Sequence, residues 1–534
     1  MMTTERRLGW LSAAVLLLFR SVALSTALGA DISGRVETGG YLEGRAVAET
    51  EGGADQRPGA LLDLRLDATV RSWVRGHLEV RSRVGGPFEG GHPGVYNFVH
   101  TFQNRAPSLD VSEAYAEIRQ RHADFRLGIQ RFAWGKLDGI PPTDVVNPRD
   151  YHDPLVDDFE ERKIGVPALS GSYYPPDMPR LGVSALRATL SYIPIAVPPR
   201  LALVEERWFP TSLVGGSRVV VPRKTIESAI EDRLPPGGEV DVPHDVVIPI
   251  QLRTVNHGPP KNVAAGAVAF RLGGTWHEMD WDIYHYTGPE TGPDLDLRTI
   301  VLLYPLPVRA GDVPSSFEPR LRLPTRLRQA QDIMHMTGAD WSAAIAGADV
   351  RAEAAVFQDR PYLRRASDFL DRIPVRRILR DLCPTLEAFL CKPGTGGCLR
   401  PTRARIRVPD LFVDRASVAW GVGADYPIHG FIPLVQLDQT VFVDAGPRLI
   451  IANPETRFSV SVRKTLLAER IELELRGTYA LERGYSFVFP RVSYLVRDDF
   501  RIRLGYLAIA GPRESLLGQF RNNDEFVLEA RFSF

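Results

Sequence analysis

The sequence predicts an all-β fold, a transmembrane antiparallel β-barrel of about 16–18 strands with long loops and a segment inserted into its lumen. Apolar and polar residues alternate with a period of two from one end of the chain to the other. After the N-terminal region no apolar run is long enough for a membrane-spanning helix, and the chain ends in an aromatic strand. Alternation alone would also allow an exported, soluble β-sandwich.

The first residues have the three-part layout of a secretory signal peptide. Two arginines precede the apolar run Leu8–Phe19, and small residues follow as far as Ala30. Arg20 interrupts the apolar run at about a dozen residues, short of the roughly 20 that a transmembrane helix needs. We therefore predict a cleaved signal peptide over residues 1–30 and a single barrel over residues 31–534.

Strand-like alternation begins directly after this region and recurs throughout the chain. The stretch Val74–Arg81 separates aliphatic from charged residues, and Ile471–Arg476 does the same near the C-terminus. Arginine and glutamate share the polar faces, which is typical of a wide, wet lumen lined by paired charges. The predicted lumen wall comprises Arg75, Glu79, Arg81, Glu113, Glu117, Arg119, Arg126, Glu472, Glu474, Arg476, Arg501, Arg503, Glu529 and Arg531.

The last strand carries the pattern that separates a membrane barrel from a soluble sheet. In "EFVLEARFSF" one face holds Phe526, Leu528, Phe532 and Phe534, and the chain ends on an aromatic carboxyl terminus. Bacterial outer-membrane barrels characteristically finish in this way, because the assembly machinery reads the last strand. We expect these four residues to form an assembly signal, an ordinary edge strand being the alternative.

Aromatic residues gather near predicted strand ends in the middle of the chain. An interfacial girdle of aromatic side chains would lie at these positions, so we expect it to include Trp276, Trp281, Tyr284, Tyr286 and Trp341. His285 lies within the same stretch and is expected to face the lumen or the girdle.

The stretch "WGKLDGIPPTDVVNPRDYHD" and its continuation "PLVDDFEERK" interrupt the strand rhythm with Gly, Pro and charged residues. Proline fixes φ and glycine permits tight turns, so the stretch can hold one irregular shape. Because a barrel of this size would leak, we predict that residues 134–165 fold inward as a constriction, a solvated loop being the alternative. Its spacing is not that of a calcium loop, so no metal is expected. The predicted constriction residues are Trp134, Lys136, Asp138, Asp144, Asn147, Arg149, Asp150, His152, Asp153, Asp157, Asp158, Glu160, Glu161, Arg162 and Lys163.

Two further stretches, residues 197–261 and 358–410, are predicted to be long loops. The second contains all three cysteines, Cys383, Cys391 and Cys398. An exported compartment is oxidising, so a disulfide is expected there, with Cys391–Cys398 and either pairing of Cys383 left open. The spacing supports neither zinc nor haem.

The chain also resembles an outer-membrane barrel family of Gram-negative bacteria that is often labelled only as a domain of unknown function. In that family a strand ending in G-x-Q-x-x-x-W-G leads into an NP-x-D segment. The matching positions are Gly128, Gln130, Trp134, Gly135, Asn147, Pro148 and Asp150. The resemblance implies a porin-like barrel in the outer membrane, and it carries over no catalytic residue.

These observations favour a non-enzymatic channel for diffusion or export of small solutes, without a cofactor. The chain has 65 basic and 65 acidic residues, which predicts weak ion preference and no nucleic-acid partner. A structural sleeve of an envelope export or electron-transfer complex is the second hypothesis. An outer-membrane hydrolase using His152 is the third, and no G-x-S-x-G motif supplies its nucleophile. Expected partners are outer-membrane lipid and lipopolysaccharide, the barrel-assembly machinery, an unidentified solute and a periplasmic protein.

Overall fold

The computed structural model describes residues 35–50, 56–85, 88, 108–139, 141–202, 206–210, 218–221, 224, 246–254, 266–293, 295–304, 320–329, 332–365, 402–405, 412–444 and 448–534. The predicted signal peptide and the three cysteines lie outside these residues. The described strands are β1 (Arg35–Glu49), β2 (Gln56–Arg71), β3 (Val74–Val84), β4 (Ser108–Arg119), β5 (Ala123–Gln130), β6 (Asp150–Tyr151), β7 (Val166–Tyr173), β8 (Val183–Ile193), β9 (Arg200–Leu201), β10 (Arg218–Val221), β11 (Val246–Thr254), β12 (Ala267–Trp276), β13 (Met279–Pro289), β14 (Leu295–Tyr304), β15 (Arg320–Gln329), β16 (Ile333–Ile345), β17 (Ala348–Leu363), β18 (Thr402–Arg405), β19 (Phe412–Asp425), β20 (Phe431–Phe442), β21 (Glu455–Leu466), β22 (Ile471–Ala480), β23 (Ser486–Arg497), β24 (Phe500–Ala510) and β25 (Glu525–Ser533).

Eighteen of these strands form one closed antiparallel barrel, which confirms the predicted fold class. Going round the barrel, the order is β1 to β5, β7, β8, β12, β13, β16, β17 and then β19 to β25. The ring closes because β25 pairs with β1, Glu529 lying opposite Arg45. Closure leaves no strand edge unpaired, as a bilayer requires. Within the described residues no helix has the length and hydropathy needed to cross a membrane.

The two ends of the barrel differ in the length of their connections. At one end, called the short-turn end below, strands are joined by turns such as residues 277–278, 346–347 and 498–499. At the other, the long-loop end, connections include residues 131–165 and 364–411. Both β1 and β25 have their chain-terminal ends at the short-turn end. This asymmetry is typical of outer-membrane barrels, whose short turns face the periplasm.

Side chains alternate between an apolar outside and a polar inside. Leu127 on β5 is 65% exposed on the outer face, whereas Glu117, on the inner face of the neighbouring strand, is 2% exposed. The predicted assembly residues of β25 are on the outer face, where Phe526 is 49% exposed. An outer belt of exposed aliphatic and aromatic residues around a charged interior defines a transmembrane barrel.

Part of the predicted aromatic girdle is wrong. Trp281 and Trp341 lie opposite each other on β13 and β16, on the outer face near the short-turn end. Tyr284 and Tyr286 are fully buried on the inner face, because their even positions on β13 match that of the inward-facing Asp282. His285 is therefore on the outer face, where its Nδ1 is 2.9 Å from the Thr337 hydroxyl, and not in the lumen.

The remaining strands lie within the long connections. Five of them, β10, β11, β15, β14 and β18, form a second sheet, while β6 and β9 pair in parallel. The predicted loop 358–410 starts too early, since β17 continues to Leu363. Asp359, with φ of 57°, lies at an irregularity in the β17–β19 register, and pairing resumes at Arg360. A bulge of this kind interrupts the alternation while the strand goes on.

Candidate functional site

The connection between β5 and β7, residues 131–165, folds into the barrel and is called the inserted segment below. Its two ends meet at Asn147, which is fully buried. The Asn147 side chain accepts a hydrogen bond from the Phe132 amide at 2.6 Å and donates to the carbonyls of Gln130 at 3.1 Å and Ile164 at 2.8 Å. One amide side chain thus ties together the exit from β5 and the approach to β7.

Replacing Asn147 by alanine is expected to loosen the contact between the two ends of the inserted segment. The change leaves the Phe132 amide and two carbonyls without their partner, which costs about 1–3 kcal/mol when the groups stay buried. Limited proteolysis of the refolded protein should then cleave within residues 131–165 faster than in the wild type. The variant Asn522→Ala, at an exposed position in the β24–β25 connection, is the control. An unchanged cleavage rate for Asn147→Ala would contradict this role.

The first arm of the inserted segment, residues 132–146, packs against the inner faces of β13, β16 and β17. Trp134 packs on Tyr284 with ring centroids 4.9 Å apart and ring planes tilted by 37°, and both belong to a buried cluster that includes Met334 and Phe357. The Tyr284 hydroxyl donates to Asp340 at 2.6 Å. This inward-facing apolar wall explains why the first arm lies against these strands rather than in solvent.

Glu353 on β17 is the main anchor of the first arm. Its buried carboxylate accepts hydrogen bonds from the amides of Lys136 at 3.1 Å, Leu137 at 3.4 Å and Thr143 at 2.6 Å, and from the Thr143 hydroxyl at 2.6 Å. Gly135 allows this close approach, because a Cβ there would lie 2.8 Å from Glu353 Oε2. Its φ of 81° also favours glycine.

Ion pairs extend the contact of the first arm to β16 and β19. Lys136 Nζ is 3.0 Å from Asp340 and 3.7 Å from Asp282. Asp138 pairs with Arg351, which also pairs with Asp425 on β19. Glu353, Asp340 and Arg351 were missed in the sequence, although the alternation in "ADVRAEAA" carries two of them.

A buried charge cluster joins the two arms at Asp144. The Asp144 carboxylate is 2.9 Å from Arg149 and 2.8 Å from Lys163, whose Nζ also lies 2.9 Å from Glu160. Burial raises the pKa of Asp144, while the two cations act in the opposite direction. Arg149 and Arg162 both lie over the ring of Phe159. The cluster gives the second arm a fixed internal structure.

The second arm, residues 147–165, contacts the other side of the barrel. Asp157 is 2.7 Å from Arg45 on β1, and Asp150 is 3.0 Å from Arg200 and 3.5 Å from Arg83. Asp158 and Glu161 make three further contacts with the wall. Asp158 is 2.9 Å from Arg476 on β22, Glu161 is 3.5 Å from Arg531 on β25, and the Glu161 carbonyl accepts from Arg81 on β3 at 2.9 Å.

These contacts carry the inserted segment across the lumen. It leaves β5 and returns to β7, and β22 lies about halfway around the 18-strand ring from that hairpin. The pairing of Asp158 with Arg476 therefore joins opposite walls. Asp153 is buried as well, so the predicted constriction residues lie within one folded segment inside the barrel.

A second stretch, described over residues 199–202 and 206–210, also reaches across the barrel. Arg207 is 2.7 Å from Glu525 on β25 and 3.1 Å from Glu49 on β1. Trp208 packs on Phe520 in a buried cluster that includes Phe489 and Leu507. The sequence predicted only a long loop here, since no alternation marks it.

Most predicted wall residues form ion pairs along the inner face. Glu117 pairs with Arg119 and Arg126 at 2.7 Å, and Glu529 pairs with Arg503 at 3.1 Å. Arg531 is 2.6 Å from Glu43, a wall residue that the sequence did not single out. Arg75, Glu472 and Arg501 also lie on the inward-facing positions, but they form no ion pair with another described residue.

One wall cluster contains possible metal ligands. Ligand atoms of His77, Glu79 and Glu113 lie within 4.8 Å of one another. Arg131, however, is 2.7 Å from Glu79 and 3.0 Å from Glu113, and His77 Nδ1 is 2.7 Å from Asp67. These partners account for the cluster as an ion-pair network, and we assign no metal to it.

His152 is buried beside Arg200 and Asp150, and burial followed by the charge of Arg200 lowers its pKa to about 4. Native His152 is thus neutral at pH 7, whereas an unfolded histidine takes up its proton near pH 6.5. Its contribution to stability is complete above pH 6.5 and is lost as the pH falls from 6.5 toward 4.

Docking of the second arm should therefore weaken between pH 6.5 and 4. The rate of proteolysis within residues 147–165 should increase from pH 7 to pH 4.5. This increase should be larger in the wild type than in His152→Gln, whose side chain does not titrate. An acid-tolerant protease keeps the comparison valid. Equal acid sensitivity in the two proteins would assign the effect to carboxylates instead.

The closed ring, the outer apolar belt and the charged interior define this protein as a transmembrane β-barrel whose lumen holds its own chain. No family model and no curated protein matches it. Among solved structures, the outer membrane protein opdK from Pseudomonas aeruginosa is similar at 9% identity and a TM-score of 0.42, covering 94% of this chain and 99% of that one. Acinetobacter baumannii OccAB1 is similar at 7% identity and a TM-score of 0.43, covering 93% and 96%. Salmonella typhi OmpF is similar at 8% identity and a TM-score of 0.37, covering 95% and 99%.

Proposed function

We propose that this protein is a porin-like channel through which small solutes diffuse or are exported. The path of the inserted segment carries the proposal, because the segment crosses the lumen between opposite walls and is held by ion pairs on both sides. A barrel of this strand number encloses a water-filled space wide enough to leak, and a fixed internal segment narrows it. In this proposal the inserted segment is the constriction and the ion-paired wall lines the path.

Planar-bilayer recording of the purified, refolded protein tests the proposal. We expect stable single-channel steps with weak ion selectivity, since arginines and carboxylates face the lumen in pairs. Absence of any conductance from protein whose barrel is shown to be closed, for example by heat-modifiable electrophoretic mobility, would count decisively against a channel.

A structural sleeve that encloses another protein is the less favoured function. The inserted segment and residues 206–210 already lie in the lumen, ion-paired to the wall, in the space that an enclosed partner would need. A sleeve would give large, unstable openings and would co-purify with a stoichiometric partner.

A hydrolase centred on His152 is least favoured. Its Nε2 atom lies 3.9 Å from Glu206, and no described hydroxyl or thiol forms a hydrogen bond with it. Esterase and lipase rates should be the same for His152→Ala, for the wild type and for a buffer blank.

The outer membrane of a Gram-negative bacterium is the location that the barrel and its C-terminal strand support. We propose that the outer belt contacts lipid and lipopolysaccharide, that the assembly machinery recognises Phe526, Leu528, Phe532 and Phe534, and that any further partner is periplasmic. Replacement of Phe534 by serine should then reduce the amount of folded barrel in the outer membrane.

A further inference from the structure

Asp158, in the second arm, meets a group of arginines on the far wall of the barrel. Its carboxylate is 2.9 Å from Arg476 Nη1 and 3.6 Å from Arg491 Nη1. The charges of Arg476 and Arg491 lower its pKa against the opposing effect of burial. Its side chain is still 48% exposed, so the carboxylate lies at the boundary between the wall and open lumen.

Arg476 uses only part of its hydrogen-bonding capacity in this pair. Its Nε and Nη2 atoms are buried and donate no hydrogen bond to another described residue, although Nε lies 3.8 Å from Glu474. Glu474 is instead bound by Arg491, at 2.5 Å. A guanidinium holds a carboxylate best through two parallel hydrogen bonds, and the Asp158 pair provides one.

Both guanidinium groups are held in place by an aromatic ring. Arg476 and Arg491 lie 5.4 Å and 5.3 Å from the centroid of Phe489, which is itself buried. The ring and Glu474 fix the arginines, so the site persists when Asp158 moves away. Asp158, by contrast, is carried by a segment that is not part of the barrel wall.

We propose that Arg476 and Arg491 form a binding subsite for the carboxylate of small monocarboxylate solutes, and that Asp158 occupies it as a tethered competitor when no solute is present. A free carboxylate can turn to accept a hydrogen bond from Nη1 of both Arg476 and Arg491, whereas Asp158 lies 2.9 Å from the first and 3.6 Å from the second. Competition from the tethered group keeps solute affinity low. Conduction requires this, because a channel site must release what it binds.

The inference rests on the proposed channel function and names its solute class, yet binding can be measured without conduction. Saturation-transfer NMR with sodium acetate, on refolded protein in detergent micelles, reports binding directly. We expect acetate to bind the wild type, Arg476→Gln to weaken binding roughly tenfold or more, and Asp158→Asn to strengthen it by a similar factor. Arg476→Lys keeps the positive charge but loses the planar guanidinium, so its acetate affinity should lie between those of the wild type and Arg476→Gln.

The matched control is Arg497→Gln, which removes an arginine paired with Asp499 at 3.2 Å at the short-turn end. It should bind acetate like the wild type. If Arg476→Gln does not refold, Arg491→Gln replaces it with the same expected loss. Unchanged acetate binding in these variants would overturn the subsite, and weaker binding in Asp158→Asn would overturn the competitor role.

Three further outcomes bear on the inference and on its premise. Inorganic phosphate that binds more tightly than acetate would overturn the monocarboxylate assignment. Acetate binding without any conductance would support the subsite and defeat the channel. If the protein conducts and acetate changes the conductance of Arg476→Gln and of the wild type equally, the subsite alone would be defeated.

Discussion

Removing the inserted segment is expected to raise single-channel conductance by roughly two- to fivefold, because conductance grows with open cross-section. Gln130 and Val166 already lie opposite each other in the β5–β7 pairing, so an Asn-Gly turn can replace residues 132–164 without stretching the barrel. Arg131 stays in place to keep its pairs with Glu79 and Glu113. Planar-bilayer recordings of the shortened and full-length proteins measure the change.

The second stretch in the lumen limits how large this increase becomes. Arg207 keeps its ion pairs with Glu49 on β1 and Glu525 on β25 in the shortened protein, so residues 206–210 stay in the lumen and the pore should not reach the conductance of an empty barrel. Circular dichroism and heat-modifiable mobility must first show that the shortened barrel is closed. Conductance equal to that of the full-length protein would mean that the inserted segment does not limit flow.

Glu353→Ala should release the first arm from the wall while leaving the barrel intact. The change removes the carboxylate that accepts from Lys136, Leu137 and Thr143, and leaves three buried amides without an acceptor. Hydrogen bonds to a charged group contribute more than neutral ones, so we expect docking of the arm to lose about 2–4 kcal/mol. Single-channel records should show larger current noise, and residues 132–146 should become protease-sensitive.

Glu472→Ala is the matched control, since Glu472 is also an inward-facing glutamate and forms no ion pair with another described residue. Its current noise and its cleavage pattern should equal those of the wild type. If the current noise of Glu353→Ala equals that of the wild type, Trp134 and its apolar neighbours are sufficient to hold the first arm.

Strand positions could be predicted from the sequence because each strand has one face in lipid and one in water. Residues such as Leu127 and Glu117 lie in opposite environments, so alternation is visible without any knowledge of the fold. The orientation of β13 was harder to read, because both of its faces carry aromatic residues. Tyr284 is buried against Trp134, and Tyr286 belongs to the same buried cluster, so the inserted segment covers an apolar part of the inner face.

The inserted segment could be located from its Gly, Pro and charged residues, but its partners could not be predicted. Asp158 meets Arg476 and Glu161 meets Arg531 across more than 300 residues of sequence. Local patterns contain no information about such distances. The stretch 199–210 was missed for a related reason, as Arg207 and Trp208 stand in a region without periodicity.

The path of the inserted segment also restricts the order in which the protein can assemble. Arg45 on the first strand is 2.9 Å from Glu529 on the last strand and 2.7 Å from Asp157 in the segment. This three-way contact exists only after the first and last strands have met. The second arm can therefore complete its contacts with β1 and β25 only at or after the pairing of these two strands.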